Sequence, residues 1–536
     1  MNRTKIHRRG LFQVGASLAA LAVSRRAVGK SSVQDEEDEQ TSCLDVRLFG
    51  AHGDGQSDDA PAFQEAINVV AGTGKSLFLS PGVYRLAKTI VLPNDMSVHV
   101  IGSAETTIRS DLPSTPNAHN ATFLALGHTS AESTIVAGKA SPGSKHLSVA
   151  SLEISGSVIA KGSTVFISSL DNSFHGAAYT VVAPPSGSGP FQLKLDRPTR
   201  EAFAPGDRVN IVHTRPRNIH IDGRGMTISG TASRYIEIGL GYRCTVENLR
   251  ANGSLGMAGP DDYMLSFDVG GEGNLFRGLT IDGAGVNAGS CIELESNERS
   301  GVVNCHVSNN RRAGIELLDC VDCYVRDSSV NACTFGLSVA GDGNELGCID
   351  CNILEFQAAG CTQNGIRVIA GVGTVVEAPT CVGCAIGVYL DTFARGTIIR
   401  GGRLRTNSLW GLDIGKGAKG TMLRDLDLTG NTIVGVNAHD DMILSGFVSE
   451  SGNRLGVVFV SAAATQKISA GKIVLPAGGI GIAWGQNDSE NDLYVDNVEI
   501  VFDVADAASL GVRTASGVAH LSNVRVRGDG AAQVIR

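Results

Sequence analysis

Aromatic residues make up only 5% of this 536-residue chain, and proline occurs just 15 times against 67 glycines. Such a composition describes a globular chain rich in turns. No stretch of about 20 consecutive apolar residues exists, which excludes a long membrane-spanning helix. Positive charge is also in short supply, with 45 Lys and Arg against 54 Asp and Glu and a formal net charge of −9. Residues 1–30 hold seven basic and no acidic residues, so without them the net charge is −16. An acidic protein of that kind is a poor general binder of nucleic acid or of anionic membrane. It also repels a highly anionic polysaccharide unless a local cluster of arginines overrides the long-range field.

A repeat is present. A small residue followed by apolar, variable, apolar recurs at Cys291-Ile-Glu-Leu, Gly314-Ile-Glu-Leu, Gly336-Leu-Ser-Val, Gly365-Ile-Arg-Val, Gly387-Val-Tyr-Leu, Gly411-Leu-Asp-Ile, Gly435-Val-Asn-Ala and Gly456-Val-Val-Phe, at intervals of 23, 22, 29, 22, 24, 24 and 21 residues. Short alternating strands at this period predict a parallel β-helix in which each coil buries its face by stacking on its neighbours. Leucine-rich repeats share the period but need regular leucines and an asparagine, which are missing here. A second strand per coil is expected at Val302 to Val307, Cys323 to Val325, Thr397 to Ile399 and Met422 to Leu426. The rhythm breaks from about 130 to 217, around Pro184-Pro-Ser-Gly-Ser-Gly-Pro190, which predicts a small all-β insertion.

The start of the solenoid is marked by Phe49-Gly-Ala-His-Gly-Asp-Gly-Gln-Ser-Asp-Asp-Ala-Pro-Ala-Phe-Gln-Glu-Ala-Ile67. Gly53 and Gly55 suit a tight turn, Asp58 or Asp59 a helix cap and Pro61 a first helical turn. The helix is expected at about 60–71, with Phe63, Ile67 and Val70 closing one end of the core. This stretch resembles the opening of the pectate-lyase-like superfamily of right-handed parallel β-helices, which includes polysaccharide lyases, hydrolases, epimerases and phage tailspikes. The resemblance implies an all-β, single-stranded right-handed parallel β-helix over 44–536, with an N-terminal capping helix. Upstream, Arg8-Arg9-Gly-Leu-Phe12 and the short apolar run Leu11 to Ser24 resemble a twin-arginine leader over 1–30, followed by an acidic linker over 31–43. That implies contact with the Tat export machinery, a periplasmic or extracellular location, and no membrane contact once the leader is removed.

Eleven of the twelve cysteines fall between Cys244 and Cys384, with C-x-x-C spacing at Cys320/Cys323, Cys348/Cys351 and Cys381/Cys384. Cys333, Cys361 and Cys384 sit at nearly equivalent turn positions before their coil anchors. The spacing therefore points to an interior ladder of stacked thiols ahead of disulfides or zinc.

Chemistry must come from residues that point outward. The residue between the two apolar anchor positions is expected to face solvent, giving the column Glu293, Glu316, Ser338, Arg367, Tyr389, Asp413 and Asn437, extended by Glu295 and, one coil earlier, by Ser266 and Asp268. Glu293 and Glu316 would lie on adjacent coils about 4.8 Å apart, and Glu293 and Glu295 about 6.6 Å apart along one strand. Paired carboxylates at such distances suit glycosidic hydrolysis, one giving a proton and the other attacking carbon or activating water. Glu293, Glu316 and Asp268 are thus the candidate catalytic residues, and Glu295, Arg311, Arg312, Arg367 and Tyr389 the candidate substrate-binding residues.

A lyase or C5-epimerase on a uronic-acid polymer needs instead a cation and a base. Arg311, Arg312 or Arg367 could supply the first, and Tyr263, Tyr389 or His306 the second. The turn Asn309-Asn-Arg-Arg-Ala-Gly-Ile315 is similar to an arginine-bearing turn of the alginate-epimerase branch, with Arg312 at the matching place. That branch also carries a Tyr, Asp and His cluster, of which Met257 to Ser266 has Asp261, Asp262 and Tyr263 without the histidine. The paired-aspartate and Gly-His-Gly signatures of the polygalacturonase branch are absent. The expected activity is that of an exported glycoside hydrolase, with a lyase or epimerase and a non-catalytic carbohydrate-binding solenoid as the competing classes. No cofactor or metal is expected, calcium entering only for a lyase, and the expected partner is a polysaccharide.

Overall fold

The computed structural model describes residues 43–536, apart from 113–119, 170–175, 200–201, 254–262, 284–288, 342–346, 441, 450–452, 460–465, 485–491, 504–507, 515–517, 529–531 and 536. The leader and linker, and with them Asp261 and Asp262, lie outside the described residues. From Cys43 onward the chain is a single-stranded parallel β-helix. Each coil visits three sheets in turn, as in Ile219–Asp222, Thr227–Gly230 and Arg234–Gly239. Among the described residues the three sheets count 17, 11 and 16 strands, and each strand pairs in parallel with its equivalents one coil away. The interior is one continuous apolar stack that contains Ile292, Leu294, Ile315 and Leu317 from the third sheet.

The helix forms where the capping residues predict it, at Ala60–Val70, and buries Phe63, Ile67 and Val70. Its two aspartates divide the work. Asp58 accepts from the amides of Ala60 at 3.2 Å and Ala87 at 3.0 Å. Asp59 makes no cap hydrogen bond and instead fixes the glycine turn, accepting from His52 at 2.7 Å and Gly53 at 3.2 Å.

One expected element divides. Val302 to Val307 is two strands, Gly301–Val303 on the first sheet and His306–Ser308 on the second. Between them Asn304 takes the left-handed conformation at φ 51° and turns the coil's corner. Asparagine and aspartate tolerate that region at low cost, so the signal was a polar residue inside an apolar run.

The insertion leaves the third sheet after Ala121–Leu126 and returns at Ile219–Asp222. Its central antiparallel strands, Thr164–Ser168, Gly176–Thr180 and Arg208–Thr214, enclose a core of their own around Val165, Ile167, Val209 and Ile211. A buried clamp ties it to the solenoid. Arg197 donates to Glu298 at 2.6 Å and to the Ala178 carbonyl at 2.6 Å, and stacks over Tyr179 with 4.6 Å to the ring centroid. Phe166 packs so closely over Gly270 that a Cβ there would come within 2.5 Å of the ring.

All twelve cysteines are free, and eleven are buried. They form the expected ladders, shared with asparagine and serine. The Asn310 amide donates to Cys333 Sγ at 3.4 Å, and the Cys384 amide to Asn407 Oδ1 at 3.0 Å. The Asn407 amide donates in turn to Asn431 Oδ1 at 3.0 Å. The same turn position is thus a polar rung on successive coils. Cys333, Asn407 and Asn431 there each accept a backbone N–H of the coil before, which satisfies a donor that would otherwise be buried alone.

Candidate functional site

On the third sheet the strands Leu265–Asp268, Ile292–Glu295, Ala313–Leu318, Phe335–Ala340, Asn364–Val372, Ile386–Arg395, Trp410–Ile414 and Val434–Ala438 lie side by side. Their register aligns Ser266, Glu293, Glu316, Ser338, Arg367, Tyr389, Asp413 and Asn437 as successive partners, one per coil. Glu237 precedes Ser266 in the same column. It lies in Arg234-Tyr-Ile-Glu-Ile-Gly239, where Tyr235 replaces the small anchor residue, so the repeat pattern passes over it. The apolar–variable–apolar triplet Ile236-Glu237-Ile238 was the signal available.

The column points away from the core, yet much of it does not face solvent. Glu237, Ser266, Glu293, Glu316, Ser338, Asp413 and Asn437 are buried, while Asp268, Glu295, Arg312, Arg367 and Tyr389 are half-buried. Neighbouring side chains cover it. Arg234, Tyr263 and Ser290 are themselves buried, and Arg234 lies over the Tyr263 ring at 5.5 Å from its centroid.

Within this cover two carboxyls have opposite environments. Glu316 is supplied with positive charge and donors: Ser290 Oγ at 2.6 Å, Arg312 at 3.3 Å and Arg367 at 3.6 Å. Arg367 also donates to Ser338 Oγ at 3.0 Å and lies 3.6 Å over Phe335. Glu293, its partner on the adjacent coil, has neither oxygen in a hydrogen bond and no exposure. Burial, then the charges of Glu316, Glu295 and Asp268, push Glu293 well above the usual carboxylate range. A carboxylate there would be a bare buried charge, so the group holds its proton.

Asp268 and Glu295 stand two residues further along their strands, at the ends nearest the insertion. They hydrogen-bond each other, and burial followed by the Glu237 charge raises Asp268, against that hydrogen bond and Arg234. Glu237 is itself paired with Arg234 at 2.8 Å. Asp268 lines a cavity of about 380 Å³ between the solenoid and the insertion, walled by Phe166, Arg208, Asn210 and Leu240. It is the candidate catalytic carboxyl that reaches an open space in this structure.

The remaining candidates separate. Arg311 is exposed in its turn, with only its carbonyl engaged, by Thr334 Oγ1 at 2.7 Å. His306 lies on the second sheet, away from the carboxyls of the third, because the coil turns at Asn304. Tyr263 is raised by burial and by Glu293, Glu295 and Glu316, and Tyr389 is pushed up to about 12 by burial and Asp391. Among the described residues no group of three or more His, Cys, Asp or Glu is arranged to hold a metal ion. No helix among them is long and apolar enough to cross a membrane.

Residues 43–134 match the family described as rhamnogalacturonase A/epimerase, pectate lyase-like. With the coil architecture, this gives the chain the fold of the pectate-lyase-like superfamily of parallel β-helices. Among solved structures it is similar to a tailspike protein of E. coli bacteriophage HK620, solved in complex with a pentasaccharide, at 13% identity and a TM-score of 0.50 over 95% of this chain and 83% of that one. It is also similar to gene product 12 of bacteriophage phi29 in its pre-mature form, at 11% identity and a TM-score of 0.50, over 93% of this chain and 58% of that one. A glucan 1,3-beta-glucosidase of Cochliobolus carbonum is 41% identical over 64 residues, 12% of this chain and 8% of that enzyme's length.

Proposed function

We propose that this protein is an exported, polysaccharide-active glycoside hydrolase whose proton donor is Asp268. The observation that carries the reading is the half-buried Asp268 at the wall of the insertion groove, where burial and the Glu237 charge favour its protonated form against the opposing pull of its hydrogen bond with Glu295 and of Arg234. A carboxylic acid kept protonated near neutrality suits general acid catalysis, giving its proton to the glycosidic oxygen as the bond to the sugar carbon breaks. Glu295, one coil along at about 4.8 Å of backbone spacing, is the carboxylate that would meet that carbon or the attacking water. Glu293 and Glu316 form a buried layer beside them, the first neutral and the second held by Arg312 and Arg367. Catalysis thus moves from the pair expected first, Glu293 with Glu316, to Asp268 at the groove wall and Glu295 beside it.

The groups in this cluster favour proton donation over abstraction. Tyr263 and Tyr389 are both held protonated, and His306 is on another sheet. An eliminating lyase or an epimerase would need a base among them. The pentasaccharide held by the tailspike relative and the glucosidase activity named for the short match are in keeping with a glycan substrate. The hydrolase reading invokes no cofactor; calcium belongs only to the lyase alternative. Export would use the Arg8–Arg9 leader and the Tat machinery, to the periplasm or beyond.

The test is to incubate the purified protein with a panel of neutral and acidic polysaccharides, following new reducing ends alongside ultraviolet absorbance of unsaturated uronates. Reducing ends without that absorbance are expected. Absorbance rising in step with chain cleavage would replace the hydrolase by a lyase, and inactivity on every polymer would favour a non-catalytic binding solenoid.

A further inference from the structure

A second feature lies far along the chain from the carboxyl cluster, at the corner between the first and second sheets. Residues 395–424 hold seven basic residues and one acidic one in a chain of net charge −9, and all seven basic side chains are exposed. The corner turns through left-handed residues on successive coils, at Gly401, Asp425, Gly446, Ala470, Asn497 and Asn523. On its first-sheet side Arg400 and Arg424 are register partners. On its other side the register runs Arg403, Asp427, Val448, Lys472, Glu499 and Arg525, one per coil.

Three acidic residues along this ridge are already paired, and Asp425 at the corner is exposed beside Arg424. Arg405 pairs with Asp427, Arg400 with Glu377 at 2.8 Å, and Arg527 with Glu499 at 3.1 Å. Arg403, Arg424 and Arg525 have no ion-pair partner among the described residues. A groove of about 680 Å³ follows the same corner along the later coils, lined by Gly446, Gly471, Lys472, Asn497 and Arg525. Gly471 in its wall makes room for the buried Phe447 ring, which a Cβ there would approach within 2.0 Å.

We infer that this ridge and groove form a second saccharide-binding site, separate from the carboxyl cluster, that takes a linear polyanionic glycan lying parallel to the solenoid axis. Successive coils rise by about 4.8 Å, a spacing close to the length of one sugar unit in an extended chain, so unpaired guanidinium groups on different coils can meet anionic groups on different sugars. Guanidinium forks match carboxylates and lose less to desolvation than ammonium groups do. The acidic remainder of the protein would repel the same chain, which confines binding to the ridge. Such a site would hold a polymer by one segment while another is presented elsewhere, adding affinity without new catalytic contacts.

The test is a titration of the full chain with hexagalacturonate, a neutral β-1,3-glucan hexamer and a single-stranded oligonucleotide of equal charge, at low and moderate salt. The wild type is expected to bind hexagalacturonate and not the neutral hexamer, with affinity falling as salt rises. The triple change R403E, R424E and R525E is expected to weaken that binding at least tenfold. All three positions are exposed, and an unchanged thermal midpoint would confirm an intact fold. D268N is expected to leave this binding untouched while abolishing cleavage, so failure of the catalytic reading and failure of this site are distinguishable. The proposal is overturned by a wild type that does not bind hexagalacturonate, by a triple variant that binds it equally well, or by preference for the oligonucleotide.

Discussion

Two buried polar stacks run along this solenoid, and they are built on opposite principles. In the turn ladder of asparagines and cysteines Asn431 is fully partnered: it donates to the carbonyls of Leu404 and Leu428 at 2.8 and 2.7 Å and accepts from Asn407. In the third-sheet column Glu293 is equally buried and neither oxygen has a hydrogen bond. Polar groups inside a protein are ordinarily satisfied, because an orphaned one costs about 1–3 kcal/mol. The ladder is therefore explained by folding alone. The carboxyl column works against folding, and such local costs concentrate at functional sites.

Breaking the two stacks should give different kinds of damage. The largest effect is expected from D268N at the groove, which removes the proton donor and should lower the cleavage rate by about 100-fold or more with little change in thermal midpoint. Glycan turnover by the two proteins, with melting curves alongside, checks this. In the ladder, N431A leaves the buried Asn407 amide without its acceptor and should cost about 2–3 kcal/mol of stability in a denaturant titration, with turnover per folded molecule retained.

E293Q should do the reverse of N431A. Glu293 has a raised pKa in the folded state, so its contribution favours folding at pH values below the unfolded carboxyl pKa and is lost as pH rises toward the folded one. Replacing it by the neutral amide removes that loss. A gain on the order of 2–5 °C is expected on the alkaline side, shrinking toward zero in acid. A variant less stable than wild type at every pH would mean that Glu293 is charged and partnered. The smallest effect is expected from C333A, which removes one weak sulfur acceptor from a rung and should cost about 1 kcal/mol or less by the same titration.

The column's register was legible residue for residue, from Glu293 through Asn437, because the anchor repeat marks the inward positions and strand alternation does the rest. Its burial was not. Whether an outward residue meets water depends on what other segments lay over it; Tyr263 and Ser290 reach the Glu293 and Glu316 pair, and Arg234 reaches Glu237, from coil segments that no periodicity ties to them. The same limit hid the groove: the composition of 130–217 marks an insertion, but only the Arg197 clamp and the contact of Phe166 with Gly270 bring its strands beside Asp268. The corner at Asn304 was readable in principle, as was Glu237 behind its atypical Tyr235.

The central claim is that this cluster holds carboxylic acid protons at neutral pH while the ladder contributes only structure. Infrared difference spectroscopy in heavy water tests it most directly, comparing wild type with D268N and E293Q in the carbonyl region of protonated carboxyls. Each variant is predicted to lose intensity there at neutral pH, and N431A to lose none. A wild-type spectrum with no protonated carboxyl band at neutral pH would contradict the account.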